Sequence, residues 1–213
     1  VIGYLPAGFP DMATSIEAAV ALADAGFDAL EIGVPYSDPV MDGPVISRST
    51  QRALEAGFKL RDLFPALSEI TSRVDIPVVV MTYWNPVVQY GVERFTADLL
   101  ASGASGLITP DLIPDEAGEW LEVSARLGAE RVFLAAPSSG DERLRRATDE
   151  STGFVYAVST MGITGARSDV DQAATTLVER LRDQGATRVC VGLGISTAEQ
   201  VREVLSYADG AII

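Results

Sequence analysis

Short β-branched apolar runs alternate with amphipathic stretches from one end of the chain to the other. The runs fall at 1–5, 28–33, 77–83, 105–109, 131–136, 154–158, 187–191 and 210–213, each of strand length. Between them apolar residues recur at helical spacing. The helices this predicts begin near Met12, Ser49, Leu60, Val92, Asp115, Asp141, Val170 and Thr197, several with Asp, Ser or Thr placed to cap the first turn. Glycines punctuate the approach to strands, as in Asp24-Ala25-Gly26-Phe27, Ala101-Ser102-Gly103-Ala104 and Asp183-Gln184-Gly185-Ala186, where a helix ends in a left-handed residue. Repeated βα units imply a parallel sheet, and eight of them favour a TIM-type (β/α)8 barrel over an open flavodoxin-like sheet, which usually has fewer.

No linker or low-complexity stretch interrupts the pattern, so residues 1–213 are expected to form one barrel domain. The chain opens in a strand and stops at Ile213 within the eighth. Against the ~250 residues typical of a barrel, truncation at both ends is expected.

Composition narrows the chemistry. A hydrophobic content of 47% over 213 residues supplies a large core. Sixteen basic against thirty acidic residues give a net charge of −14, which repels nucleic acid and anionic membranes. The apolar runs are far shorter than a membrane span, and the start reads as a strand rather than a leader. Cys190 stands alone in an apolar run, which suits a buried small hydrophobe and a reducing cytoplasm. Histidine is absent. That removes Ser-His-Asp and Cys-His arrangements and most zinc sites, leaving proton transfer to carboxylates.

Two carboxylates stand out in Ala29-Leu30-Glu31-Ile32-Gly33-Val34-Pro35-Tyr36-Ser37-Asp38-Pro39-Val40-Met41-Asp42-Gly43-Pro44. Glu31 lies in an apolar run near the C-terminal end of the second strand, the active face of a barrel, where burial raises a carboxyl pKa. Asp42 follows eleven positions later in a loop bounded by Gly and Pro. From the residues alone, Glu31 could equally pair with a buried cation, and Asp38 and Asp42 could be turn formers.

This segment resembles the signature of tryptophan synthase α subunits. The resemblance continues in order through Gly8-Phe9-Pro10-Asp11, Met81-Thr82-Tyr83-Trp84-Asn85-Pro86, Asp111-Leu112-Ile113-Pro114, Gly162-Ile163-Thr164-Gly165 and Gly192-Leu193-Gly194-Ile195-Ser196, covering essentially the whole chain. Met41 replaces a common Ala, Thr160 stands where some members have Arg, and the family's Gly-Ser step after strand eight is missing from this sequence.

The resemblance implies cofactor-free retro-aldol cleavage of indole-3-glycerol phosphate to indole and glyceraldehyde 3-phosphate. It implies Glu31 as the shuttling acid and base, and Asp42 as acceptor of the indole N–H. Gly165, Gly194 and the helix opening after Ile195-Ser196 are candidates to hold phosphate through backbone amides. Tyr4, Tyr83, Ile108, Leu134 and Tyr156 are candidates for the indole pocket, with core packing the competing reading for Ile108 and Leu134. Asn85 and Asp111 read as residues tying neighbouring loops, and Thr164 and Arg167 as part of a lid over 161–169.

The resemblance further implies an α2β2 heterotetramer with a pyridoxal phosphate-dependent β subunit, faced by Pro35 and Asp38. Two rivals remain: another phosphate-binding barrel enzyme, such as a phosphosugar isomerase or indole-glycerol-phosphate synthase, and a catalytically silent allosteric partner. The synthase is disfavoured because the only lysine, Lys59, stands near a helix start rather than at a strand end.

Overall fold

A computed structural model describes residues 1–159 and 167–213, with side chains omitted for 167–171. Its contacts divide the chain into two compact units: Gly3–Leu112 with Glu119–Ala129, and Val1–Ile2 with Ile113–Gly118 and Glu130–Ile213.

The first unit contains strands β1 (Ile2–Pro6, but for its first residue), β2 (Ala29–Gly33), β3 (Val78–Met81) and β4 (Gly106–Thr109). Parallel pairing sets Glu31 beside Val79 and Val79 beside Gly106, with Gly33, Met81 and Ile108 aligned one pleat further on. Helix α1 (Met12–Asp24) starts where the sequence predicts, because Asp11 accepts a 2.8 Å hydrogen bond from Thr14 N. Helix α2 (Pro44–Glu55) starts earlier than the predicted Ser49. Pro44 occupies its first position, where a missing N–H costs nothing. A 3-10 turn at Leu60–Asp62 leads into α3 (Leu63–Thr71).

Helix α4 (Trp84–Tyr90) lies where the sequence pattern predicts no helix. Pro86 falls in the first turn, whose N–H groups have no helical acceptor, so the helix tolerates it. Helices α5 (Val92–Ala101) and α6 (Gly118–Leu127) complete the set, α6 starting after a 3-10 turn at Pro114–Glu116 rather than at Asp115.

The second unit holds β5 (Glu130–Ala135), β6 (Val155–Val158), β7 (Val189–Gly192) and β8 (Gly210–Ala211), with α7 (Asp141–Glu150), α8 (Arg167–Asp183) and α9 (Ala198–Val204) between them. Strand β8 is shorter than the predicted 210–213, although Ile212 continues as a parallel bridge to Ile2. Alternation along the strands sorts the two faces. Val155, Ala157, Val189, Val191 and Ala211 pack with Leu144, Leu177, Leu181 and Val204 in a helix-covered core. Tyr156, Cys190 and Gly210 align on the other face, and Cys190 is buried. Fully burying a leucine such as Leu177 contributes about 1.5–3 kcal/mol.

One close approach recurs in the two units. A Cβ on Gly33 would collide with the Tyr4 phenol, and one on Gly192 with the Tyr156 phenol. Each glycine therefore makes room for a tyrosine from a neighbouring strand. Gly192→Ala is expected to destabilise the chain by about 1–3 kcal/mol through overpacking, read as a drop in thermal midpoint. An unchanged midpoint would show that Tyr156 moves aside freely. Among the described residues no helix is long and apolar enough to cross a membrane.

Candidate active site

Strand β2 carries Glu31 into a setting that gives a carboxylate little support. The residue is 1% exposed, and its Oε2 has no hydrogen-bond partner among the described residues. Burial lifts its pKa from 4.5 to about 8, with no cation among the described residues opposing the shift. A buried salt bridge, the alternative left open by the sequence, would lower it. At neutral pH Glu31 is therefore mainly a neutral acid that can give up a proton and take it back.

Asp42 lies half-buried in the loop between β2 and α2. Burial raises its pKa, and a hydrogen bond donated by the Tyr83 hydroxyl to Oδ1 at 2.9 Å opposes the rise. Tyr4 belongs to the same electrostatic setting. Burial raises its pKa first, followed by the charges of Asp42 and Glu31 and by Tyr83. Two carboxyls and two phenols thus converge within the first unit, as candidate acids, bases and aromatic walls.

The surrounding loops are tied together. Asp111 Oδ1 accepts from Trp84 N at 2.8 Å, and Asn85 Nδ2 donates to the Tyr36 hydroxyl at 3.2 Å. Both residues make the loop-linking bonds that their motifs suggested. Tyr36, which the sequence did not single out, lies against Tyr83 with ring centroids 5.4 Å apart. No local pattern betrays a contact between residues 36 and 83, because it exists only once β2 and β3 pair. Pro35 is buried within this chain and Asp38 is exposed, accepting from Ser37 Oγ at 2.6 Å. Beyond them Val40 is 77% and Val45 63% exposed.

In the second unit, Tyr156 is buried on β6, paired in register with Leu134 of β5. Ile108, on β4 of the first unit, is fully buried. After β7, Leu193 and Gly194 take consecutive left-handed conformations with φ of 75° and 83°. For a leucine this is strained, and the Ser159 hydroxyl supports it by donating to Leu193 O at 2.7 Å. At the helix opening after Ile195-Ser196, Gln200 Oε1 accepts from Ser196 N at 2.8 Å and Thr197 N at 3.1 Å, part of the capping box before α9. Gly194 remains exposed. Thr160, Thr164, Gly165 and the side chain of Arg167 lie outside the described residues, as does most of the expected lid. Among the described residues, no group of three or more acidic or cysteine side chains could hold a metal ion.

The sequence profile described as "Tryptophan synthase alpha chain" matches residues 1–213. The chain belongs to the tryptophan synthase alpha chain family. A family member from Leifsonia xyli is 68% identical over all 213 residues, which span 82% of that protein, and one from Mycobacterium avium is 54% identical, with 78% spanned. A solved tryptophan synthase structure from Mycobacterium tuberculosis superposes with a TM-score of 0.92 at 52% identity, covering 99% of this chain and 80% of that one. A structure of the tryptophan synthase complex from Pyrococcus furiosus gives 0.92 at 41%, covering 100% and 86%. The eight parallel strands, ordered β1 to β8 as in the chain, form the (β/α)8 barrel fold shared with these structures.

Proposed function

We propose that the chain cleaves indole-3-glycerol phosphate by a retro-aldol reaction in which Glu31 and Asp42 are the catalytic residues. The observation that carries this reading is the buried Glu31, which meets no cation among the described residues and whose pKa of about 8 makes it a proton donor at neutral pH. Glu31 delivers a proton to the indole C3, while Asp42 accepts the ring N–H and stabilises the positive charge that develops. The Glu31 carboxylate then takes the proton from the 3′ hydroxyl. The bond from C3 to the side chain breaks, its electrons restore the aromatic ring, and the aldehyde of glyceraldehyde 3-phosphate forms. One proton enters and one leaves, so Glu31 returns to its starting state.

Tyr4, Tyr83 and Tyr156 serve as aromatic walls for the substrate, and Thr164, Gly165 and Gly194 as its polar and backbone contacts, the glycines toward phosphate. Backbone amides suit this task in a chain of charge −14, because they bind an anion without net positive charge. Residues 1–213 act as one barrel domain in the cytoplasm.

The chain's own residues supply this chemistry, and a pyridoxal phosphate cofactor belongs to the partner β subunit. Lys59, the only lysine, caps the 3-10 turn before α3 instead of standing at a strand end, so no residue is placed to form a Schiff base. The Pyrococcus furiosus protein is a mutually activated α2β2 complex; the same assembly is proposed for this chain, with the loop carrying Pro35 and Asp38 facing the β subunit. Exposed Val40, Met41 and Val45 in and beside that loop support this surface.

Indole formation from indole-3-glycerol phosphate tests the reading. Release is expected from the chain alone and a faster rate on adding a β subunit. Ligand binding without any indole would instead identify a silent allosteric barrel.

A further inference from the structure

We propose that Tyr83 is a positioning residue for Asp42: its hydroxyl occupies one carboxylate oxygen and anchors the loop backbone, leaving the second oxygen for the indole ring nitrogen. This rests on the reading of Asp42 as the N–H acceptor and adds a role for a residue otherwise assigned to the pocket wall.

The direction of the hydrogen bonds carries the argument. Met41 N donates to Tyr83 Oη at 2.9 Å, and the same Oη lies 2.9 Å from Asp42 Oδ1. A phenol has one proton. With an N–H already donating into Oη, that proton points to Asp42, so Oδ1 is an acceptor held from a fixed direction. Burial raises the Tyr83 pKa, and the neighbouring charges of Asp42 and Asp111 add to the rise. The phenol therefore stays protonated and keeps donating.

Tyr83 is itself fixed from several sides. It precedes α4, whose Trp84 N is capped by Asp111, and its ring leans on Tyr36, whose hydroxyl accepts from Asn85. The loop after β2 is thereby referenced to β3 and the loop after β4. Among the described residues, Asp111 after β4 and Tyr4 on β1 couple to this pair, and Glu31 on β2 couples to Tyr4. None of these is a cation, so among the described residues the Tyr83 hydrogen bond is what opposes burial in keeping Asp42 ionised.

Tyr83→Phe keeps the ring and removes the hydroxyl. A wall residue would show mainly a raised KM. A positioning residue gives a kcat lower by roughly 10- to 100-fold, the effect of losing a charge-assisted hydrogen bond, with KM changed less than about twofold. The acid limb of the kcat profile shifts to higher pH. The Asp42 carboxyl, followed by carbon NMR in the substrate-free protein, also titrates at higher pH in the variant. An unmoved Asp42 titration, or a change confined to KM, overturns the inference. If the parent protein releases no indole, the proposed function falls, yet the NMR titration still decides whether Tyr83 controls Asp42.

Discussion

Glu31→Gln is expected to lower indole release by roughly 10² to 10⁴, the usual worth of a placed acid and base, while improving stability in alkali. Glutamine keeps the shape of the side chain on β2 but cannot deliver or remove a proton. In the parent protein, kcat/KM should fall as pH rises through about 8, where Glu31 loses the proton it must donate. It should fall again in acid, where Asp42 becomes protonated.

Stability follows a separate course. The folded pKa of about 8 exceeds the 4.5 of an ordinary glutamic acid, so the unfolded chain binds fewer protons between these values. The stability that Glu31 contributes as a neutral buried acid is full below the unfolded pKa and is lost as pH rises through the folded one. Glu31→Gln removes that loss and should melt at a higher temperature than the parent at pH ~9, with a smaller difference at pH ~6. Initial rates and thermal melts on the same preparations measure both effects. Near-parental turnover would remove Glu31 from the mechanism.

The second large effect is expected from Asp42→Asn, a fall in kcat of roughly 10² or more. Asparagine can still accept from Tyr83 through its carbonyl, so the loop stays anchored and the fold is unchanged. What disappears is the negative charge opposite the ring nitrogen, needed most when C3 has been protonated. Because that charge matters more in the transition state than in the bound substrate, kcat should drop more than binding weakens. Comparing kcat with the Kd of a non-reacting indole phosphate tests this. A variant that loses affinity but keeps its kcat would make Asp42 a binding residue only.

The order of strands and helices was legible in the sequence because hydrophobic period is a local property. Helix starts at Met12, Val92 and Asp141 follow from nearby residues alone. Where a proline falls in the first turn the start is less legible: α4 begins at Trp84, two residues before Pro86, and α2 begins at Pro44 rather than near Ser49. The Gln200 side chain bonds the Ser196 and Thr197 amides, completing a capping box that Thr197 and Gln200 spell locally.

Glu31 and Asp42 could be picked out from sequence as a pair of carboxylates near one strand end, and residue type with position determined their candidacy. Their protonation could not be read there. Whether Glu31 met a buried cation or none depended on which side chains β1, β3 and their loops brought against it, and the answer, desolvation with no counter-charge among the described residues, sets its pKa near 8. The hydrogen bond from Tyr83 to Asp42 spans 41 residues. Local sequence determines which groups exist and which strand carries them. Tertiary packing decides which are desolvated and which share a proton, because both depend on distances between residues far apart in the chain.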